Sequence, residues 1–322
     1  MKKKLSLTVL YLALFLFPAL TSCTAASPEQ YHVGIVQLAA HSALDDATRG
    51  FQDALNALLP GQVSYDLQNA ANDPAVCSTI ANDFVSSKVD LILANATPAL
   101  QAAASSTDDI PILGTAVSEY GVALGVEGFA GTVGANVSGT SDLAPPDQQG
   151  QMILDWLPEI RNVGILYCSR EANSLYQVDT VEKYLEEQGR VCTQYPFTDS
   201  NDLAAVCQDA IAHSEALYIP TDNTCASNAL LIDNLCRPAG IPVFTGDEGT
   251  CKGCGAATLT IDYYDIGYVT GEMAAKILKG EAQVGEMPIQ YAPNVTAKYN
   301  KTICDELGLT PPSESYVPIE GT

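Results

Sequence analysis

Val89-Asp90-Leu91-Ile92-Leu93-Ala94-Asn95-Ala96-Thr97-Pro98 decides the fold of this chain. Its first six residues form a short apolar run of strand length. Thr97-Pro98 then reads as a helix start, a hydroxyl at the N-cap with proline in the first helical position. A short apolar strand that passes at once into a helix is the repeating joint of an α/β fold.

The joint recurs on both sides. Upstream, Tyr31 to Leu38 reads as a strand and Val63 to Leu67 as another. Between them Leu44 to Leu59 reads as a helix, with Phe51, Leu55, Leu58 and Leu59 at helical spacing and Pro60 just past its end. Pro74 to Ser87 is helical and Ile112 to Val117 is a strand. A second series follows. Strands are expected at Val163–Tyr167, Arg190–Tyr195, Ala216–Ile219 and Pro242–Phe244, and helices at Asn173–Glu187, Asn201–His213 and Ala226–Leu235. Two βαβ series of similar length predict two doubly wound α/β lobes with parallel sheets. Such sheets bind ligands at the carboxyl ends of their strands.

The start of the chain sets the compartment. Lys2, Lys3 and Lys4 precede an apolar stretch from Leu5 to Leu20, and Leu20-Thr21-Ser22-Cys23 closes it. A basic start, a short apolar run and small residues before a cut describe a secretory signal peptide over residues 1–22. Leu-Thr-Ser-Cys also looks like a bacterial lipobox, which would make Cys23 the lipidated N-terminus of the mature chain. The blander readings are an ordinary signal with a chance cysteine, or an uncleaved anchor. Residues 23–30 would be a tether. The protein is then expected outside the cytoplasm, lipid-anchored to the bacterial cell membrane.

Of 322 residues, 47% are apolar and 16% charged, so the chain is globular. Removing a leader with three lysines and no acids takes the formal net charge from -23 to -26. That balance repels nucleic acid and anionic headgroups. Of the ten cysteines, nine remain after Cys23, so at least one thiol is unpaired in a monomer. Exported proteins usually oxidise their cysteines, but Cys168 and Cys207 sit in apolar patterns and read as core residues. Many free thiols outside the cell would suit an organism living without oxygen.

The loops after the strands are small, hydroxylic or carboxylic. They include Ala40-His41-Ser42-Ala43-Leu44-Asp45, Asn95-Ala96-Thr97-Pro98, Thr115-Ala116-Val117-Ser118-Glu119 and Gly139-Thr140-Ser141-Asp142. In the second series they are Ser169-Arg170-Glu171-Ala172-Asn173-Ser174, Pro220-Thr221-Asp222-Asn223 and Gly246-Asp247-Glu248-Gly249. Hydroxyls and free N–H groups at helix starts suit an anion, and opposing carboxylates suit an ammonium group. Together they fit a zwitterion such as an amino acid.

The same segments carry a resemblance. Gly34-Ile35-Val36-Gln37-Leu38 with His41 and Ala43-Leu44-Asp45, Gly50-Phe51, Ala96-Thr97-Pro98, Thr115-Ala116-Val117 and Gly139-Thr140-Ser141-Asp142 match in order. Glu171-Ala172-Asn173-Ser174, Pro220-Thr221-Asp222-Asn223 and Ile261-Asp262-Tyr263-Tyr264 with Gly267 continue the match. The chain resembles the ABC-transporter substrate-binding lipoproteins of the tryptophan/tyrosine type. The resemblance implies a type I periplasmic-binding-protein-like fold with three crossing strands, a ligand clamped between two lobes, and a permease and an ATPase as partners. The lobes are expected at 31–142 plus 263–285 and at 143–262 plus 286–322. Crossings are expected near Thr140–Asp142, Thr260–Asp262 and Met287–Ile289.

The candidate ligand residues are His41, Asp45, Thr97, Thr115, Ser118, Ser141, Glu171, Asn173, Ser174, Thr221, Asp222, Asn223, Glu248 and Asp262. Asp222 is assigned to the ligand ammonium, with Glu248 as the competing residue. Thr97 and Thr115 are assigned to the carboxylate. Each has a plainer reading: Thr97, Asp222 and Glu248 serve equally as helix caps, and His41 as a solvated loop residue. Tyr120, Tyr176, Tyr263 and Phe244 are candidates for stacking an aromatic ligand.

No Gly-x-Ser-x-Gly, His-Glu-x-x-His or Walker sequence is present, so an enzyme is not expected. Cys251-Lys252-Gly253-Cys254 reads as a glycine-rich loop; no second paired spacing supplies a zinc site, and neither metal nor cofactor is expected. The leading expectation is a monomeric binding lipoprotein that hands an amino acid, aromatic by resemblance, to an importer. The alternative is a lipoprotein that presents a bound small molecule to a receptor without transport.

Overall fold

A computed structural model describes residues 30–292 and 294–319. The expected signal peptide and Cys23 lie outside the described residues. In the first lobe β1 (Tyr31–Gln37), α1 (Ser42–Leu58), β2 (Val63–Asn69), α2 (Pro74–Ser87), β3 (Leu91–Asn95), α3 (Thr97–Ser106), β4 (Ile112–Val117), α4 (Tyr120–Leu124) and β5 (Val137–Ser141) follow in order. The second lobe begins with α5 (Pro146–Trp156), β6 (Asn162–Cys168), α6 (Ala172–Glu187), β7 (Val191–Phe197), α7 (Ser200–His213) and β8 (Ala216–Ile219). It continues with α8 (Asn223–Ser227), α9 (Ala229–Cys236), β9 (Val243–Thr245), α10 (Glu248–Cys254) and β10 (Ala257–Thr260). The chain then returns to the first lobe for α11 (Tyr263–Leu278) and β11 (Gln290–Tyr291). It ends in the second lobe with β12 (Thr296–Tyr299), α12 (Lys301–Leu307) and β13 (Val317–Pro318).

The two lobes each hold one sheet, ordered β11-β5-β4-β3-β1-β2 and β13-β12-β10-β9-β8-β6-β7. Among the named strands every pairing in the first is parallel; in the second the β10–β12 pairing alone is antiparallel, so β12 and β13 run against the other five. β3 is buried at all five positions, the apolar run of the sequence set between two parallel neighbours.

α1 and α11 show how sequence sets packing. Leu44, Ala47, Phe51, Ala54 and Leu55 form the buried stripe of α1, while Leu58, expected in that stripe, is exposed. Glycines let the two helices touch backbone to backbone. A Cβ on Gly267 would lie 2.0 Å from the carbonyl oxygen of Ala47, and one on Gly50 would lie 2.1 Å from that of Tyr264. α11 therefore belongs against the first lobe although it follows the second in sequence.

Four local expectations change. The third passage between lobes falls after Tyr291, not at Met287–Ile289, because β11 pairs with β5 and Ile289 packs in the first core. The segment 286–291 thus lies with the first lobe. The single helix expected over Ala226–Leu235 is two, α8 and α9, broken at Asn228, whose side chain turns back to donate to the carbonyl of Thr224. Cys251 and Cys254 lie in helix α10 rather than a loop, since Asp247 caps that helix by accepting from the N–H and hydroxyl of Thr250. Thr97 does not cap α3: Ala96 holds the cap position with φ +90°, and the Thr97 hydroxyl is buried without a hydrogen-bond partner.

Candidate functional site

The strand ends of the two sheets face each other across a cleft. Among the described residues, three side-chain hydrogen-bond contacts bridge it. His41 Nε2 lies 3.2 Å from Asn223 Oδ1, Asn72 Nδ2 donates to Thr224 Oγ1 at 2.9 Å, and Gln177 Nε2 reaches Ser118 Oγ at 3.4 Å. Inside them lies a narrow cavity of about 10 Å³, about the space of one water molecule.

Lobe one supplies His41, Ala43 and Leu44 from the start of α1, Ala116 and Ser118 after β4, and Asp142 after β5. Lobe two supplies Asn173 from α6, Thr221, Asp222 and Asn223 after β8, Ala226 from α8 and Asp247 after β9; Tyr263 comes from the start of α11. Two backbone outliers stand at these strand ends. Ala116 has φ +52° and Ala96 φ +90°, conformations that alanine rarely adopts and that cost on the order of 1–3 kcal/mol each. The start of α1 is open: no side chain caps it, and His41, Ala43 and Leu44 bring the positive end of its dipole to the cavity wall.

Asp142 is the distinctive charge. It is 3% exposed, Tyr263 donates to its Oδ2 at 3.0 Å, and its Oδ1 has no hydrogen-bond partner. Burial pushes this carboxyl up to about 6, against the opposing hydroxyls of Ser118 and Tyr263, and the charge of Asp247 adds to the rise. Burial, then the Asp142 charge, likewise raise the Tyr263 phenol. Asn173 Oδ1 is a second buried oxygen without a partner.

Asp222 is placed in the cavity wall, but its oxygens are committed. Oδ1 accepts from the N–H of Cys225 at 2.8 Å; Oδ2 accepts from the N–H of Cys168 and the hydroxyl of Ser174, each at 2.7 Å. Burial raises its carboxyl and the adjacent Glu171 charge adds to that. Glu171 in turn accepts from the backbone N–H and side chain of both Asn223 and Thr224, and from Asn173. The two carboxylates fix the loops that carry Asn173, Thr221 and Asn223.

Of the candidates read from sequence, His41, Ser118, Asn173, Thr221, Asp222 and Asn223 come together around the cavity. Ser174 and Glu171 stand behind it. Ser141 lies one step back, its hydroxyl donating to the carbonyl of Ser118. Thr115 is drawn into a hydroxyl chain with Thr140 and Thr270. Asp45 accepts from Gln37, Asp262 caps α11, and Glu248 pairs with Lys298 at 2.6 Å, all off the cavity. Among the aromatic candidates Tyr263 lines the cavity. Phe244 packs against Trp156 in the second core, and Tyr120 donates to the carbonyl of Thr140. Ala43, Leu44, Ala116, Asp142, Ala226 and Asp247 also line the cavity without being among the candidates. All but Ala226 lie in the loops after the strands, so position after a strand was the available signal.

Two parallel-sheet lobes with a charged, enclosed cleft between their strand ends define a ligand-binding protein of the two-lobed type. A family profile described as ABC transporter substrate binding protein matches residues 32–317, and the chain belongs to that family. It is 34% identical over 266 residues to a tyrosine-binding protein of Clostridioides difficile, covering 82% of this chain and 76% of that one. Among solved structures it is similar to a Streptococcus pneumoniae ABC domain in complex with L-Trp, with TM-score 0.84 at 30% identity over 89% of this chain and 97% of that one. It is also similar to the ligand-free, open form of a Clostridium difficile substrate-binding protein with adhesive properties. There the TM-score is 0.67 at 36% identity, over 90% and 100% of the chains.

Proposed function

We propose that this chain captures a free aromatic amino acid between its lobes and delivers it to an ABC permease and its ATPase. The observation that carries the reading is Asp142. A buried carboxylate oxygen without a partner in the cleft between the lobes calls for a cationic donor, and the α-ammonium group of an amino acid supplies one. Asp142 therefore takes the role first assigned to Asp222. The ligand carboxylate meets the open N-terminus of α1, with Ser118 and Asn173 as further polar contacts. Ala116, Ala226 and Leu44 leave an apolar side for the side chain, beside Tyr263. The aromatic choice draws support from the tyrosine-binding relative and the neighbour holding L-Trp.

Capture works by closure. Each lobe supplies part of the site, so only a bound ligand makes its full set of contacts with the lobes together. In support, the chain superposes better on the L-Trp complex than on the open, ligand-free relative, although it is more identical to the latter. Family members work outside the cytoplasm, and Cys23 supplies the proposed lipid anchor to the membrane face. Thermal unfolding with each of the twenty amino acids tests the reading. A bound ligand at a hundredfold its Kd stabilises by about 2.7 kcal/mol. A rise in Tm with tyrosine, tryptophan or phenylalanine is expected; no shift with any amino acid would sink the proposal.

A further inference from the structure

We propose that Cys207 and Cys236 are a disulfide-forming pair that staples α7 to α9 when lobe two folds outside the cytoplasm. Their sulfurs stand 3.8 Å apart, side by side in one apolar cluster, at 0% and 1% exposure. Three other thiols of this lobe hydrogen-bond to backbone carbonyls. Cys168 donates to the carbonyl of Thr198, Cys254 to that of Thr250 and Cys304 to that of Ala256. Cys207 and Cys236 have each other. Nothing in the ligand site uses them.

The arrangement also suits the chemistry. In the reduced protein either sulfur can donate to the other. As a thiolate, one of the two attacks a small-molecule or oxidoreductase disulfide and forms a mixed disulfide, expelling the first oxidant thiolate. The other, losing its proton, attacks the protein sulfur of that mixed disulfide and expels the second. Two protein thiols lose two electrons and two protons in all, and the oxidant disulfide becomes two thiols. Burial shields the pair once the lobe is packed, so exchange belongs to the folding stage. The bond would close the chain between α7 and α9, and α9 adjoins α8, whose Asn223 and Thr224 reach across to lobe one.

The full chain, unfolded with reductant and refolded in a mixture of reduced and oxidised glutathione, tests this. Free thiols are blocked with iodoacetamide and the digest is mapped by mass spectrometry. A peptide pair joined through Cys207 and Cys236 is expected, with the other cysteines alkylated. The oxidised protein should melt about 5–15 °C above the reduced one. In the Cys207→Ala/Cys236→Ala double variant, which keeps the site apolar, that difference should vanish. Alkylation of both residues after oxidative refolding overturns the proposal. So does a link from either one to another cysteine or to glutathione, or a melting difference that survives in the double variant.

Discussion

Asp142→Asn separates a ligand contact from a structural one. The parent carboxyl is held at about 6 against an ordinary 3.8, chiefly by burial. Its folded pKa is raised, so this group binds more protons in the folded state than in the unfolded one between those values. The unliganded protein therefore loses stability as pH rises through that window, by roughly 3 kcal/mol in full at pH 7. Asparagine removes that charge while keeping an oxygen for the Tyr263 hydroxyl, so the unliganded variant should be at least as stable as the parent at pH 7. Ligand binding moves the other way. A charge-assisted hydrogen bond is worth ~1.5–3 kcal/mol, so affinity for the amino acid should fall about 10- to 100-fold. Thermal unfolding without ligand and calorimetric titration with it read the two effects separately. Binding within twofold of the parent would refute the assignment of the ammonium to Asp142.

Asp222→Asn should behave in the opposite sense, lowering stability by roughly 1–3 kcal/mol through a mismatched amide against the Cys168 and Cys225 N–H groups; an unchanged Tm would contradict this. The parent's ligand affinity should be flat above pH 7 and decline below about pH 6, by up to tenfold per pH unit, as Asp142 takes a proton. Titrations from pH 4.5 to 8 in one ionic strength check the slope, and a decline toward high pH instead would reverse the sign. Asn72→Gly removes the bridge to Thr224 while retaining the φ of +63° that glycine adopts freely. It should weaken binding about 2- to 10-fold, read by calorimetry, with no fall in the liganded complex's stoichiometry. Gly267→Ala should cost at least ~1–3 kcal/mol in thermal unfolding by forcing α1 and α11 apart.

The alternation of elements was legible because strand and helix periods differ and each apolar run is short. β3, buried on both faces, and α1, with its stripe from Leu44 to Leu55, follow directly from that reading. The position of β11 was not legible. It has two residues, both exposed, and joins the first sheet through a pairing with β5 that no local pattern records. α10 was hidden for a related reason: its glycines argue against a helix, and the capping of Thr250 by Asp247 overrides them. In the site, the loops were legible as strand ends but the roles within them were not. Asp222 and Asp142 each follow a strand. Only the fold shows that two backbone N–H groups and a serine consume the first while one oxygen of the second stays unpaired. Residue type gives a charge; what else touches that charge is a tertiary fact.

Calorimetric titration of L-tyrosine and L-tryptophan beside their deaminated analogues, which keep ring and carboxylate but lack the ammonium group, tests the central claim most directly. The account predicts that at least one of the two amino acids binds with one-to-one stoichiometry, and that its analogue binds at least tenfold more weakly to the parent protein. The same comparison on Asp142→Asn should shrink that discrimination. Equal binding of amino acid and analogue by the parent, or no binding of either amino acid, would contradict it.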